Sequence, residues 1–334
     1  MKDVIGFGSL SVSLFFQIRN PQSLDLKIEE FDKEGEKYSS PEHFRDYLNF
    51  VSHIGRKVWQ HSGEEEANVI LELANMGFDC GFVGKVGQDK FGDFLIENLK
   101  GVDTSRVNKE GFTGVSLVLV PEKGAKSSLV FPNSNNYLRF EELDLAYLNN
   151  AKFLHMGSFG GGVSFETQKR LAEEIAPSVA ISFSIGKQNA LRGLQSILPL
   201  IRRSLITFLN DQELTLLTGK EYKAGVKELL DYGTTIVGCQ VENKGWYVAS
   251  RQEDFFASTP PNDEDESNAA HLFIAGVLAG LLLAKPLEKC VAVASKLVAR
   301  RNLPGGRNFP DKEFLDLIMS ERETPKNSEK SMNE

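Results

Sequence analysis

Residue types able to do chemistry gather in three stretches of the chain. The first is Gly63-Glu64-Glu65-Glu66-Ala67-Asn68, three consecutive carboxylates behind a glycine. The second is Asn210-Asp211-Gln212-Glu213. Taken alone, it reads as a helix start in which Asn210 or Asp211 caps and Glu213 satisfies the first turn. The third runs Asp263-Glu264-Asp265-Glu266-Ser267-Asn268-Ala269-Ala270-His271. Its four acids suit a cation or a cationic ligand, and a neutral imidazole at His271, with an ordinary pKa of ~6.5, can accept a proton at pH 7.

Other motifs carry less. Gly6-Phe7-Gly8 lacks the third glycine and the following helix of a dinucleotide fingerprint and reads as a tight strand end. Gly160-Gly161-Gly162 lacks the Gly-Lys-Ser/Thr of a phosphate loop and reads as a flexible turn after a strand ending at Met156. His43, His53, His61, His155 and His271 include no two at helical metal-ligand spacing, so no directly ligated metal is expected. Cys80, Cys239 and Cys290 lie far apart, which gives neither a disulfide framework nor a CxxC site.

These residues must be held by an alternation of short apolar strands and amphipathic helices. Val4 to Leu10, Gly81 to Gly84, Lys152 to Met156, Val179 to Phe183, Leu205 to Phe208 and Thr235 to Cys239 read as strands. Helical windows cover the stretch after Asn68 up to Gly77, Phe91 to Leu99, Phe165 to Ile175 and Leu191 to Arg203. That rhythm argues for a mainly parallel sheet with helices on both faces, whose ligands sit beyond the carboxyl ends of the strands. Val115 to Val120 and Ser128 to Phe131 read as strands paired around Glu122-Lys123-Gly124. Ser40 can cap a helix with Pro41 first, its apolar face marked by Phe44, Leu48, Val51, Ile54 and Val58. Residues 321–334 lack apolar periodicity and are expected to be a disordered tail.

A net charge of -8 argues against nucleic acid and anionic membrane as partners. The longest apolar run, Leu272 to Ala284, falls short of the ~20 residues of a membrane span. With no signal-peptide pattern at the start and no disulfide framework, a soluble cytoplasmic protein is expected.

In order and spacing, four segments together resemble the ribokinase, or PfkB, family of carbohydrate and nucleoside kinases. They are Gly63 to Asn68 followed by Gly77 and Gly84-Lys85-Val86-Gly87-Gln88-Asp89-Lys90-Phe91-Gly92; Asn210 to Glu213 ahead of Leu216-Leu217-Thr218-Gly219; Asp265 to His271 leading into Leu272-Phe273-Ile274-Ala275-Gly276; and Phe131-Pro132-Asn133-Ser134-Asn135-Asn136-Tyr137-Leu138. The resemblance covers about Asp3 to Met319. It implies a ribokinase-like α/β domain over residues 1–320, with a mainly parallel central sheet flanked by helices. A small β lid would come from about 13–36 and 113–131, with an inserted helix at about 41–58 and a homodimer formed through the lid.

It also implies sites. ATP and Mg²⁺ would be the cofactors of an active member, with Asn210 and Glu213 ordering Mg²⁺-bound water and Glu242 and Gly245 near the nucleotide. The acceptor, a small molecule of unspecified identity, would meet Ser11, Ser13, Gly63, Glu64, Asn68, Ser184 and Lys187. Asn268, Ala269 and Ala270 stand where the family has its Gly-Ala-Gly anion hole, and His271 stands where it has its Asp base. Ser13 and Ser184 likewise replace acids, and Glu64, Glu65 and Glu66 add bulk and charge where small residues are usual. Packing positions such as Gly77, Gly87, Gly92 and Gly276 are kept. The resulting expectation is a maintained fold with lost or strongly reduced phosphotransferase activity and a binding or regulatory role. The alternative is an active sugar or nucleoside kinase that uses His271 as its base.

Overall fold

The computed structural model describes residues 1–18, 36–38, 43–62, 64–121, 127–242, 244–258 and 267–301, together with 312 and 315. Gly63, the turn at 122–124, the acids 263–266, most of the early lid segment and the 321–334 tail lie outside the described residues. In chain order the strands are Lys2–Phe7 (β1), Ser11–Ile18 (β2), Glu36–Tyr38 (β3), Gly55–Ser62 (β4), Cys80–Val86 (β5), Asp103–Lys109 (β6), Gly114–Pro121 (β7), Ser127–Phe131 (β8), Ala151–Met156 (β9), Ala180–Ser184 (β10), Ser204–Asn210 (β11), Ile236–Val241 (β12), Gly245–Ser250 (β13) and Asp254–Ser258 (β14). The helices are Phe44–Ile54 (α1), Glu65–Asn75 (α2), Lys90–Asn98 (α3), Leu145–Asn149 (α4), Gly162–Glu174 (α5), Gly186–Arg192 (α6), Leu194–Arg203 (α7), Asp211–Thr218 (α8), Tyr222–Tyr232 (α9), Ser267–Leu282 (α10) and Leu287–Arg301 (α11).

Nine strands form the central sheet in the order β14-β13-β12-β11-β10-β9-β1-β5-β6. All neighbours from β12 to β6 are parallel, and β13 and β14 add an antiparallel edge. Strands such as β5 and β10 are almost wholly buried, as a sheet covered on both faces requires. On one face α2, α10 and α11 pack together. Gly276 and Gly280 of α10 press against Ala294 and Cys290 of α11, where a side chain on either glycine would collide. Phe273 stacks on Trp246 with ring centres 4.4 Å apart, which fixes α10 to the sheet.

A second sheet, in the order β3-β8-β7-β2-β4, stands where the resemblance implied a lid and is termed the lid. Strands β7 and β8 pair antiparallel, as read from the sequence. Alternation on β2 buries Val12, Leu14, Phe16 and Ile18 on one face. Helix α1 covers part of this layer through Tyr47 and Val51, with Phe44 and Tyr47 edge-on or tilted against Phe131.

Two sequence expectations need correction here. The helix expected over 41–58 ends at Ile54, and Gly55–Ser62 is a lid strand paired antiparallel with β2. Val58 stands four residues after Ile54 and so mimics a helical stripe, yet extended Gly55 has already ended the helix and Val58 is exposed. The helical window over Leu191 to Arg203 is two helices. Gly193, with φ of 83°, separates them because a residue in the left-handed region cannot continue a right-handed helix.

The Gly84 to Gly92 motif proves structural. Asp89 caps α3 by accepting from the N–H groups of Phe91 and Gly92, both at 3.0 Å. The same carboxylate accepts from the Thr113 N–H and hydroxyl at 2.9 and 2.7 Å, which ties the root of lid strand β7 to the central sheet.

Candidate active site

A cavity of about 150 Å³ lies between the carboxyl ends of β1, β9 and β10 and the underside of the lid. Ser9, Ser11, Asn135, Ser158 and Gln188 contribute polar walls, and Glu64, Glu65, Glu66 and Lys187 contribute charge. Asn135, fully buried, fixes the entry to the lid. Its Oδ1 accepts from the Leu10 N–H at 2.9 Å, and its Nδ2 donates to Leu10 O and Ser11 Oγ, both at 3.0 Å. Asn135 falls within the Phe131 to Leu138 run, so its place near the site was readable from the sequence although its clamp was not.

The floor is built from the start of α2. Glu64 is the N-cap residue but makes no side-chain cap bond, and its side chain faces the cavity. Glu66 turns inward and is 6% exposed. Its Oε1 accepts from the Ser158 N–H at 3.3 Å. Its side chain fills the space above Gly157 and touches the space beside Gly8, positions at which a Cβ would collide with or crowd it. Burial pushes the Glu66 carboxyl well above its ordinary pKa, and the charges of Glu65 and Glu64 push it further. Glu65 is also raised by burial, against smaller opposing effects from the Ser184 hydroxyl and His271. Ser184 Oγ, at the end of β10, makes no well-directed hydrogen bond of its own.

His271 does not line this cavity. It is 4% exposed, on α10, with Nε2 3.7 Å from Glu72 Oε1 on α2. Expected at the start of a helix after a turn, it is the fifth residue of α10, and Asn268, Ala269 and Ala270 form the first turn. A helix leaves only its first four N–H groups unbonded. The His271 N–H is therefore used inside α10 and is not presented to an incoming anion.

Asn210 and Glu213 do not line this cavity, and they satisfy each other. Asn210 Oδ1 accepts from the Glu213 N–H at 2.8 Å, and Glu213 Oε2 accepts from the Asn210 N–H at 3.1 Å. This is the capping-box reading of the sequence, and it leaves one carboxylate oxygen of Glu213 available to water on a metal ion. Burial raises Glu213 to about 7, with Glu65 adding to the shift. Glu242 is exposed in the hairpin between β12 and β13, its N–H donating to Asp211 Oδ2 at 3.1 Å. Gly245 opens β13 opposite Val241.

Of the residues the resemblance assigned to the acceptor, Ser11, Glu64 and Lys187 line this cavity. Ser13 stands in the lid sheet opposite His61 and Ser116, and Asn68 lies on α2 with its N–H bonded to Glu64 O; neither lines the cavity. Sequence reasoning missed Ser9, Ser158 and Gln188. It noted Glu65 and Glu66 as bulk without assigning them to the site. Among the described residues no group of three or more His, Cys, Asp or Glu is arranged to hold a metal ion.

A model of the pfkB family of carbohydrate kinases matches residues 42–300. The chain belongs to this family. Among its curated relatives within the pfkB family, an uncharacterized sugar kinase of Archaeoglobus fulgidus is 28% identical over 237 residues, 69% of this chain and 94% of that protein. An ATP-dependent ribose-1-phosphate kinase of Halopiger xanaduensis is 27% identical over 271 residues, 79% of this chain and 88% of that protein. The fold matches adenosine kinase from Sinorhizobium meliloti with a TM-score of 0.78 at 17% identity, covering 95% of this chain and 99% of that one. It also matches the ribokinase of Arabidopsis thaliana complexed with ribose and ATP, with a TM-score of 0.74 at 18% identity and coverage of 96% and 99%. The ribokinase-like α/β architecture read from the sequence is therefore the architecture of this pfkB-family protein.

Proposed function

We propose that this pfkB-family protein binds a small molecule in the cavity beneath its lid, with phosphotransfer to a hydroxyl lost or strongly reduced, and acts as a binding or regulatory protein. One observation carries the reading. His271, which stands in the place of the family's base, is buried against Glu72, while Glu66 occupies the floor of the acceptor cavity. A general base must come within hydrogen-bond reach of the hydroxyl it deprotonates. His271 does not border the cavity in which that hydroxyl would lie. The first turn of α10 also lacks the glycines that would let backbone N–H groups approach a transferring phosphate.

ATP and Mg²⁺ fit this cleft in part. Asn210 and Glu213 would hold Mg²⁺-bound water through the free Glu213 oxygen, and the metal would supply charge neutralisation for the phosphates. The donors for the transferring phosphate are the part that does not fit.

A homodimer through the lid accords with Val58 and Trp59, both exposed on edge strand β4. A reducing cytoplasm accords with three cysteines buried as free thiols, and no helix among the described residues is long and apolar enough to cross a membrane.

The test is ADP formation from MgATP with a panel of neutral sugars and nucleosides. Turnover at background, unchanged in His271→Ala, is the expected result. Acceptor-dependent turnover abolished by His271→Ala would replace this reading with the active kinase that uses His271.

A further inference from the structure

A buried carboxylate in a protein is ordinarily paired with a cation or neutralised by a proton. Glu66 faces a cavity, is more than nine-tenths buried, and has no cation against it among the described residues. Its hydrogen-bond donors are the Ser158 N–H and its own backbone, and the charges acting on it most strongly are those of Glu65 and Glu64, both of its own sign. Acids in the first turn of a helix commonly favour the helix dipole, but they do so from solvent. Glu66 instead leaves its helix end and crosses to the β9 side of the cleft. Lys187 also lines the cavity.

From this geometry we infer that the cavity takes a polyhydroxylated small molecule bearing an ammonium group, an amino sugar or amino polyol, whose cation pairs with Glu66. The inference rests on the proposed function only in taking this cavity as the ligand site. Size agrees: one water needs roughly 10–15 Å³ of such volume. The cavity's 150 Å³ is about ten times that threshold, room for a small ligand rather than a single water. The hydroxyl-rich wall of Ser9, Ser11, Asn135 and Gln188 suits the neutral part of that molecule. Burial holds Glu66 toward its protonated form, so pairing with an ammonium releases a proton.

The experiment is calorimetric titration of the full-length protein at neutral pH with D-glucosamine and D-galactosamine against D-glucose and D-galactose. Each titration is run in buffers of low and high ionisation enthalpy. The expected result is that the amino sugars bind at least about ten times more tightly than their neutral counterparts, the worth of one charged hydrogen bond. Their heats should also depend on the buffer. Glu66→Gln, which keeps an acceptor for the Ser158 N–H, should bring the preference below about two-fold and remove the buffer dependence. Glu65→Gln serves as a second variant and should retain most of the preference.

Equal binding of neutral sugars, an undiminished preference in Glu66→Gln, or no saturable binding of either amino sugar at millimolar concentrations would each overturn the inference. ATP-dependent turnover of a bound amino sugar would overturn the proposed loss of phosphotransfer and leave this inference standing. Preference for neutral sugars without turnover would do the reverse.

Discussion

Two acidic helix starts, α2 in the cavity lining and α8 outside it, treat their carboxylates in opposite ways. At α8 the acid is absorbed locally: Glu213 bonds the backbone N–H of its own N-cap residue, and Asn210 returns the bond. At α2 the N-cap residue Glu64 makes no side-chain cap bond, and Glu66 reaches across the cleft to the N–H of a residue 92 positions away. At α8 the acid finishes its own helix; at α2 the acid fills space inside the cavity. Both carboxyls are raised by burial. The difference lies in what each acid holds.

The largest effect that can sharpen this comparison is the pH dependence at Glu213. A carboxyl whose folded pKa is raised from 4.5 to about 7 binds more protons in the native state than in the unfolded state between those values. Its contribution is therefore fully present below about pH 4.5 and is lost as the pH rises through about 7. At pH 8 Glu213→Gln should be more stable than the parent by up to roughly 3 kcal/mol, with the advantage shrinking as the pH falls and vanishing below about pH 4.5. Urea denaturation of both proteins across this range checks it. A difference independent of pH would mean that Glu213 does not share the burial of Glu66. His155, buried and lowered to about 3, acts in the opposite sense below pH 6.5, and comparing the variant with the parent at each pH cancels it.

A smaller effect tests the reach of Glu66. A methyl group at Gly157 would occupy the space the Glu66 carboxyl now fills. Gly157→Ala should destabilise the protein by about 1 kcal/mol, because the displaced atoms are the movable end of a long side chain. In a Glu66→Ala background the same substitution should be nearly neutral. Equal costs in the two backgrounds would put Glu66 elsewhere.

This contrast also governs how much was legible beforehand. The parallel sheet, the β7–β8 pair and the Asn210–Glu213 capping box depend on periodicity or on contacts three residues apart, so local sequence reveals them. Strand β4 was hidden because Ile54 and Val58 keep a four-residue apolar spacing across a glycine that ends the helix. The helical conformation of Asn268 to Ala270 was not read from the sequence, where the resemblance implied a turn. The position of Glu66 was invisible because Gly8, Gly157 and Ser158 become its neighbours only when β1 and β9 lie side by side.

The most direct measurement of the central claim, that Glu66 is a buried acid facing the cleft without a cation, is a carbon-13 NMR titration of the glutamate carboxyls in the ligand-free protein. Glu66→Gln assigns the resonance. The account predicts a carboxyl that titrates well above the ordinary 4.5 and moves back toward ordinary values when an amino sugar binds. A Glu66 resonance that titrates near 4.5 in the free protein would contradict it.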